Sequence, residues 1–174
     1  MGKQIIFCME AKRQAATDWV YINETIKRFY IESNKIHLEK EFLDGKNNYN
    51  SKGIMKSIKK KTNEFKQGET FVIYCIDVDN FENNPTHIKD FVDIDSFCQQ
   101  NGFDIVWFCH DIEDVYLGKR IPKDEKVKEA ERFRKNKGIY LIDEVKLTSS
   151  NNHKIHSSNI LKVLDEHFDR QKRQ

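Results

Sequence analysis

Glu10 closes the apolar run Ile5-Ile6-Phe7-Cys8-Met9, and Asp77 and Asp79 close a second run, Thr70-Phe71-Val72-Ile73-Tyr74-Cys75-Ile76. Two carboxylates with one residue between them share a side wherever a strand continues. Joined by a third from a neighbouring strand, they make a hard oxygen site of the kind magnesium takes, with water and phosphate oxygens completing its shell. Without a cation such acids repel and raise one another's pKa. With one they become an anchor for phosphate chemistry. A third run, Phe103-Asp104-Ile105-Val106-Trp107-Phe108-Cys109, leads into His110-Asp111-Ile112-Glu113-Asp114 and offers Glu113 as a further ligand. Acids after strands also serve as plain helix caps and turn formers, and Glu113 fits that role as well.

Cations that would meet phosphate follow the same logic. Lys12 and Arg13 follow Glu10 after Ala11, at the expected active edge, and Lys59, Lys60 and Lys61 form a run further on. Each could neutralise a phosphate, although a basic run is more often a solvated helix face. His153 and His156 read as a surface pair on one helical face, with no ligand partner nearby in sequence. His110, leaving a strand beside Asp111, reads as a polar strand-end residue with a functional alternative. The four cysteines, Cys8, Cys75, Cys98 and Cys109, show neither CxxC nor zinc spacing and are expected as buried free thiols. Trp19, Phe29 and Trp107 read as core. No glycine-rich phosphate loop is present, which argues against the two common nucleotide-binding motifs.

The elements that must carry these residues alternate between two periods. The runs at 5–9, 70–76 and 103–109 are apolar on both faces, as buried parallel strands are. The segment 35–43 alternates and suggests a second, more exposed strand. Trp19, Ile22, Ile26, Phe29 and Tyr30 fall at helical spacing, with Thr17 or Asp18 as the cap. Ser51 caps a basic helix that Gly68 is expected to end. Pro85 opens a helix stopped near Gly102, a charged and peripheral helix is expected over 122–137, and a last one over 157–168. Arg170 to Gln174 read as a frayed tail.

This alternation predicts an α/β, three-layer Rossmann-like domain. Its central sheet is expected to be mainly parallel and four-stranded, in the order 2-1-3-4, with extra C-terminal helices. In such sheets ligands bind beyond the carboxyl ends of the strands, at the switch point between strands one and three. The whole chain, 1–174, reads as a single domain with a core over about 4–118 and a helical extension over about 119–170. Its 174 residues, 38% hydrophobic and 11% aromatic, suffice for a core without disulfide or metal. Thirty basic against 28 acidic residues leave a net charge of +2, which does not announce a nucleic-acid binder. No apolar run is long enough for a bilayer span or a secretory signal, so no membrane partner and a cytoplasmic location are expected.

A glutamate closing the first strand and an Asp-x-Asp closing the third resemble the Toprim domain of topoisomerases, primases, overcoming-lysogenization-defect nucleases and RloB-like proteins of restriction loci. The resemblance covers residues 4–118. The stretch Trp107 to Lys119, with Ile112-Glu113-Asp114-Val115-Tyr116-Leu117, is similar to a segment of the RloB-like branch, as is, loosely, the Ser157-Ser158-Asn159-Ile160 helix. It implies a Toprim-like fold, Glu10 as general acid or base with Lys12 beside it, and Asp77 and Asp79 holding magnesium or manganese with Glu113 assisting. Two positions depart from the pattern. Ala11 stands where the family places glycine, and Phe81 holds the place of the third acid, with Glu82 one residue later.

The expectation that follows is a metal-dependent nuclease, or a related phosphodiester-cleaving enzyme, acting on DNA or RNA, in a mobile-element or phage-defence setting implied by the resemblance. A homodimer, or a partner protein encoded nearby, is the expected association. The alternative is a catalytically inactive Toprim-like module that binds nucleic acid or protein. A receiver-like domain fits less well, because there the paired acids follow the first strand.

Overall fold

A computed structural model describes residues 2–172; Met1 and the tail residues Arg173 and Gln174 lie outside the description. Strand β1 (Gly2–Met9) leads to helix α1 (Thr17–Phe29), then β2 (Ile36–Phe42), α2 (Lys52–Glu64) and β3 (Gly68–Asp77). Helix α3 (Pro85–Asn101), β4 (Asp104–Cys109), α4 (Ile112–Leu117) and α5 (Lys126–Lys135) follow, and β5 (Ser157–Ser158) and α6 (Ile160–Leu164) close the chain.

The α/β class and the mostly parallel sheet stand, but strand count and order need correction. The sheet has five strands in the order β2-β1-β3-β4-β5, with β1 to β4 parallel and β5 antiparallel. Residues 157 and 158, expected to start the last helix, instead pair with Cys109 and Phe108. The Asn159 amide then extends the ladder with its side chain. Its Oδ1 accepts from Trp107 N at 2.9 Å and its Nδ2 donates to Ile105 O at 2.9 Å. An edge of β4 that would otherwise present open backbone groups is thereby covered, and α6 shrinks to Ile160–Leu164.

Strand residues alternate between two helical layers. Ile5, Phe7, Met9, Ile73, Cys75, Val106 and Phe108 face the layer that includes α1, α4, α5 and α6. Ile6, Cys8, Val72, Tyr74, Ile76, Trp107 and Cys109 face the layer of α2 and α3. Burial on both faces explains why β1 and β3 carry no polar face. All four cysteines are buried and free, as expected. Among the described residues no helix is long and apolar enough to cross a membrane.

Several local expectations are refined. Ser51 caps α2 by accepting from Ile54 N at 3.3 Å, and Asn84 with Pro85 opens α3. Gly68 does not end α2. It begins β3, where a Cβ would stand 1.7 Å from Gly2 O, so the two strands can start side by side only with glycine there. The cap position of α1 belongs to Ala16, with neither Thr17 nor Asp18 capping. Helix α5 is shorter than expected and mostly exposed, with Ala130 and Phe133 buried against α1. Part of the supposed frayed tail is ordered: Arg170 pairs with Asp165 and Glu144, and Gln171 N donates to Phe29 O at 2.9 Å.

Candidate active site

Because β1 lies beside β3, the ends of both strands reach the same edge. Glu10 Oε1 accepts the Asp77 backbone N–H at 2.8 Å, bringing together the two acids singled out from the sequence. The other end of the Asp77 side chain is also fixed: Oδ1 accepts Ile112 N–H at 3.0 Å, at the first turn of α4. β3 does not continue to Asp79 as the Asp-x-Asp reading assumed. Val78 and Asp79 still donate backbone N–H groups to Phe108 O and His110 O, at 2.9 and 2.7 Å, but Asp79 adopts the left-handed region at φ 60°. Asp tolerates that conformation better than most residues.

Two lysines flank the acids. The Lys46 ammonium pairs with the Asp79 carboxylate and donates to Asp77 O at 3.4 Å. It is carried by the short 3-10 turn Lys46–Asn48, which follows β2 at the same sheet edge. Lys126, at the start of α5, donates to Glu113 Oε2 at 2.7 Å and stands 4.0 Å from Asp111 Oδ2. Asp18, freed from capping α1, accepts Ala11 N–H at 3.1 Å and so braces the backbone just after Glu10. Asp111 caps α4 by accepting Asp114 N–H at 2.8 Å.

The electrostatics follow from crowding. Burial pushes the Glu10 carboxyl up to about 8; Lys46 and the Asp77 N–H pull it back, while Asp79 and Asp18 push further. Asp77 is raised well above the carboxylate range, first by burial and then by Glu10, Asp18, Asp111 and Glu113. Burial likewise raises Asp18 and Glu113, the latter opposed by Lys126. Against the opposing effect of burial, Glu10, Asp79 and Asp77 raise Lys46. The edge thus crowds more acidic side chains together than its two lysines can pair, and burial favours their protonated forms.

Glu10, Asp77 and Asp79 offer only carboxylate and carbonyl oxygens, which suit a hard divalent cation. Among the described residues no three His, Cys, Asp or Glu side chains form a ready-made metal-holding group. Magnesium is commonly held by one or two carboxylates plus water and substrate phosphate, so Asp77 and Asp79, with Glu10 adjacent, fit that mode.

The other expected site residues are less convergent. Glu113 is fully buried, spends one oxygen on Lys126 and leaves Oε1 without a hydrogen bond. Lys12 follows Glu10 on an exposed turn and pairs with Asp44 at 3.3 Å, the two side chains being 63% and 64% exposed. Arg13 lies 5.9 Å from the Phe42 ring. Lys59, Lys60 and Lys61 are not brought to the acids. α2 leaves the carboxyl edge at Lys52, so these lysines stand roughly 10–13 Å further along its axis. Lys61 is spent on Glu41 at 2.7 Å, and Lys60 pairs with Glu64 at 3.8 Å.

Sequence reasoning missed Lys46 and Lys126 and read Asp18 only as a helix cap, while Asp111 stood among the strand-end acids without a role of its own. A signal existed for Lys46, since it follows the Asp44-Gly45 turn directly after a strand. The histidines also differ from expectation. His153 and His156 are not on a helix: His153 stacks on Phe81 at 4.3 Å, and His156 Nδ1 lies 3.1 Å from Asp114 Oδ2. His110 pairs with Glu82 at 2.9 Å and with Asp114 at 3.4 Å, so the displaced acid Glu82 is engaged. A separate cleft of about 890 Å³, lined by Arg28, Phe29, Tyr140 and Arg170 among others, lies at the far end of α1 from Asp18.

No protein-family model, curated protein or solved structure matches this chain.

Proposed function

We propose that the chain is a divalent-metal-dependent phosphodiester-cleaving enzyme acting on nucleic acid, with its site at the ends of β1 and β3. The observation that carries this reading is the 2.8 Å bond from Asp77 N–H to the Glu10 carboxylate, with Asp77 and Asp79 on the same edge. Magnesium or manganese held by Asp77 and Asp79, with Glu113 in support, would neutralise charge on the phosphate and ease loss of a proton from water. Glu10, pushed up to about 8, is poised near neutral pH to hold or receive a proton as general acid or base. Asp77 is held in orientation by Ile112 N–H. Lys12 and Arg13, exposed on the turn after Glu10, would meet backbone phosphates of DNA or RNA. A mobile-element or phage-defence role belongs to the same proposal on the strength of the Toprim resemblance; a cytoplasmic location, suggested by the short apolar runs, and pairing with a second copy or a neighbouring gene product accompany it.

The second reading is a catalytically inactive module that binds nucleic acid or protein. Lys46 favours it, because an ammonium group already lies against Asp79 and Asp77 O. Incubating plasmid, single-stranded DNA and RNA with magnesium or manganese separates the two. The enzyme reading expects cleavage by wild type that Asp77→Asn abolishes. Binding without cleavage under either metal would leave the module.

A further inference from the structure

The loop carrying Lys46 is anchored without help from the Lys46 side chain. Leu43 N–H donates to Met9 O at 2.9 Å and Gly45 N–H to Glu10 O at 3.0 Å, which joins the loop to the end of β1. Asn48 Nδ2 donates to Leu43 O and Asp44 O, both at 3.0 Å, and closes the loop on itself. Gly45, at φ 106°, makes the turn that a side chain would strain. The backbone is therefore fixed while a long, flexible side chain extends to the acids. Its ammonium group meets only acceptors: the Asp79 carboxylate, Asp77 O and the field of Glu10.

We propose that Lys46 and a divalent cation are alternative occupants of the Asp79 carboxylate beside Asp77, and that metal binding releases the ammonium towards the phosphate of the substrate. The inference rests on the metal-dependent reading above and assigns a residue that the sequence did not suggest. A divalent ion carries twice the charge and takes several oxygens at once, so it displaces a single ammonium from the same carboxylate. The released ammonium stays tethered within a side-chain length of Asp79, where it would offer a positive charge to a substrate phosphate. Lysine is well suited to this as a mobile point charge. On the other flank Lys126 remains with Glu113 and Asp111, so the exchange concerns the Asp79 side alone.

The test uses the full chain and manganese as the probe. Manganese binding, read by electron paramagnetic resonance, is compared in wild type, Lys46→Met, Asp77→Asn and, as a remote control, Lys27→Met. Loss of the competing charge should tighten manganese binding in Lys46→Met by about tenfold, with Lys27→Met unchanged and Asp77→Asn weakened. With manganese saturating, Lys46→Met should lose the metal-induced gain in oligonucleotide affinity that the proposal expects of wild type. A second measurement needs no variant: acylation of Lys46 in wild type, relative to Lys27, should rise when magnesium is added. Unchanged acylation, or a manganese affinity in Lys46→Met equal to wild type, overturns the exchange while leaving the metal site standing. Absence of manganese binding in wild type removes the exchange and the proposed metal-dependent function together.

Discussion

The Glu10 carboxylate accepts the backbone N–H of Asp77 at 2.8 Å, so the end of β1 is hydrogen-bonded to the end of β3 through a side chain that burial pushes up to about 8. The sign of the resulting pH dependence is fixed. A carboxyl whose folded pKa lies above its unfolded value binds its proton more tightly when folded. Its contribution to stability is full below about 4.5 and is lost as pH rises towards about 8. The metal-free protein should therefore lose stability across that window, at up to about 1.4 kcal/mol per pH unit from this group. Glu10→Gln should flatten the slope. Denaturant midpoints at pH 5 and pH 8 check it, and an equal slope in both proteins would remove Glu10 as the cause.

Asp77→Asn keeps an oxygen for Ile112 N–H and removes charge from a carboxyl crowded by Glu10, Asp18, Asp111 and Glu113. Stability without metal should be preserved or raised. Wild type should gain about 1 kcal/mol from a metal at about five times its dissociation constant, which is about 2–4 °C in Tm for a domain of this size. The variant should show a smaller shift. Calorimetry with magnesium, manganese and sodium at matched ionic strength measures both effects. A variant that loses stability without metal yet keeps the full metal shift would make Asp77 a structural cap.

Lys126→Met leaves Glu113 buried without its 2.7 Å partner. The pair is partly open on the lysine side, so the expected cost is about 2–3 kcal/mol rather than the full figure for a sealed pair. Adding Glu113→Gln should restore most of it. A double-mutant cycle in urea gives the coupling, and additive losses would show that the two side chains act independently.

Gly68→Ala should destabilise the domain by about 2–4 kcal/mol, a cost typical of backbone crowding at a packed position. The Cβ would meet Gly2 O at 1.7 Å where β1 and β3 begin. Wild-type thermal stability in the variant would mean that the strand ends part without cost.

What was legible in the sequence was whatever local periodicity dictates. Apolar runs without a polar face announced β1, β3 and β4 as interior strands, and a parallel sheet brings the residues after such strands to one edge. Glu10 and Asp77 therefore met as expected. The two lysines were not legible in the same way. Lys126 returns to the edge on α5 after the loop that follows Gly118, and no repeat fixes where that loop leads. β5 has only two serines, too few to show a period, and its pairing relies on the Asn159 side chain acting as backbone. Gly68 has the sequence look of a helix stop, yet its role is set by Gly2, far away in the chain.

The central claim is that the strand-end acids hold a divalent metal. Anomalous scattering from crystals soaked in manganese at pH 7.5 tests it most directly. The expected result is a manganese peak bounded by the Asp77 and Asp79 carboxylates beside Glu10, with the Lys46 ammonium withdrawn from Asp79. A map with no peak at this edge, and Lys46 still paired with Asp79 at saturating manganese, would contradict it.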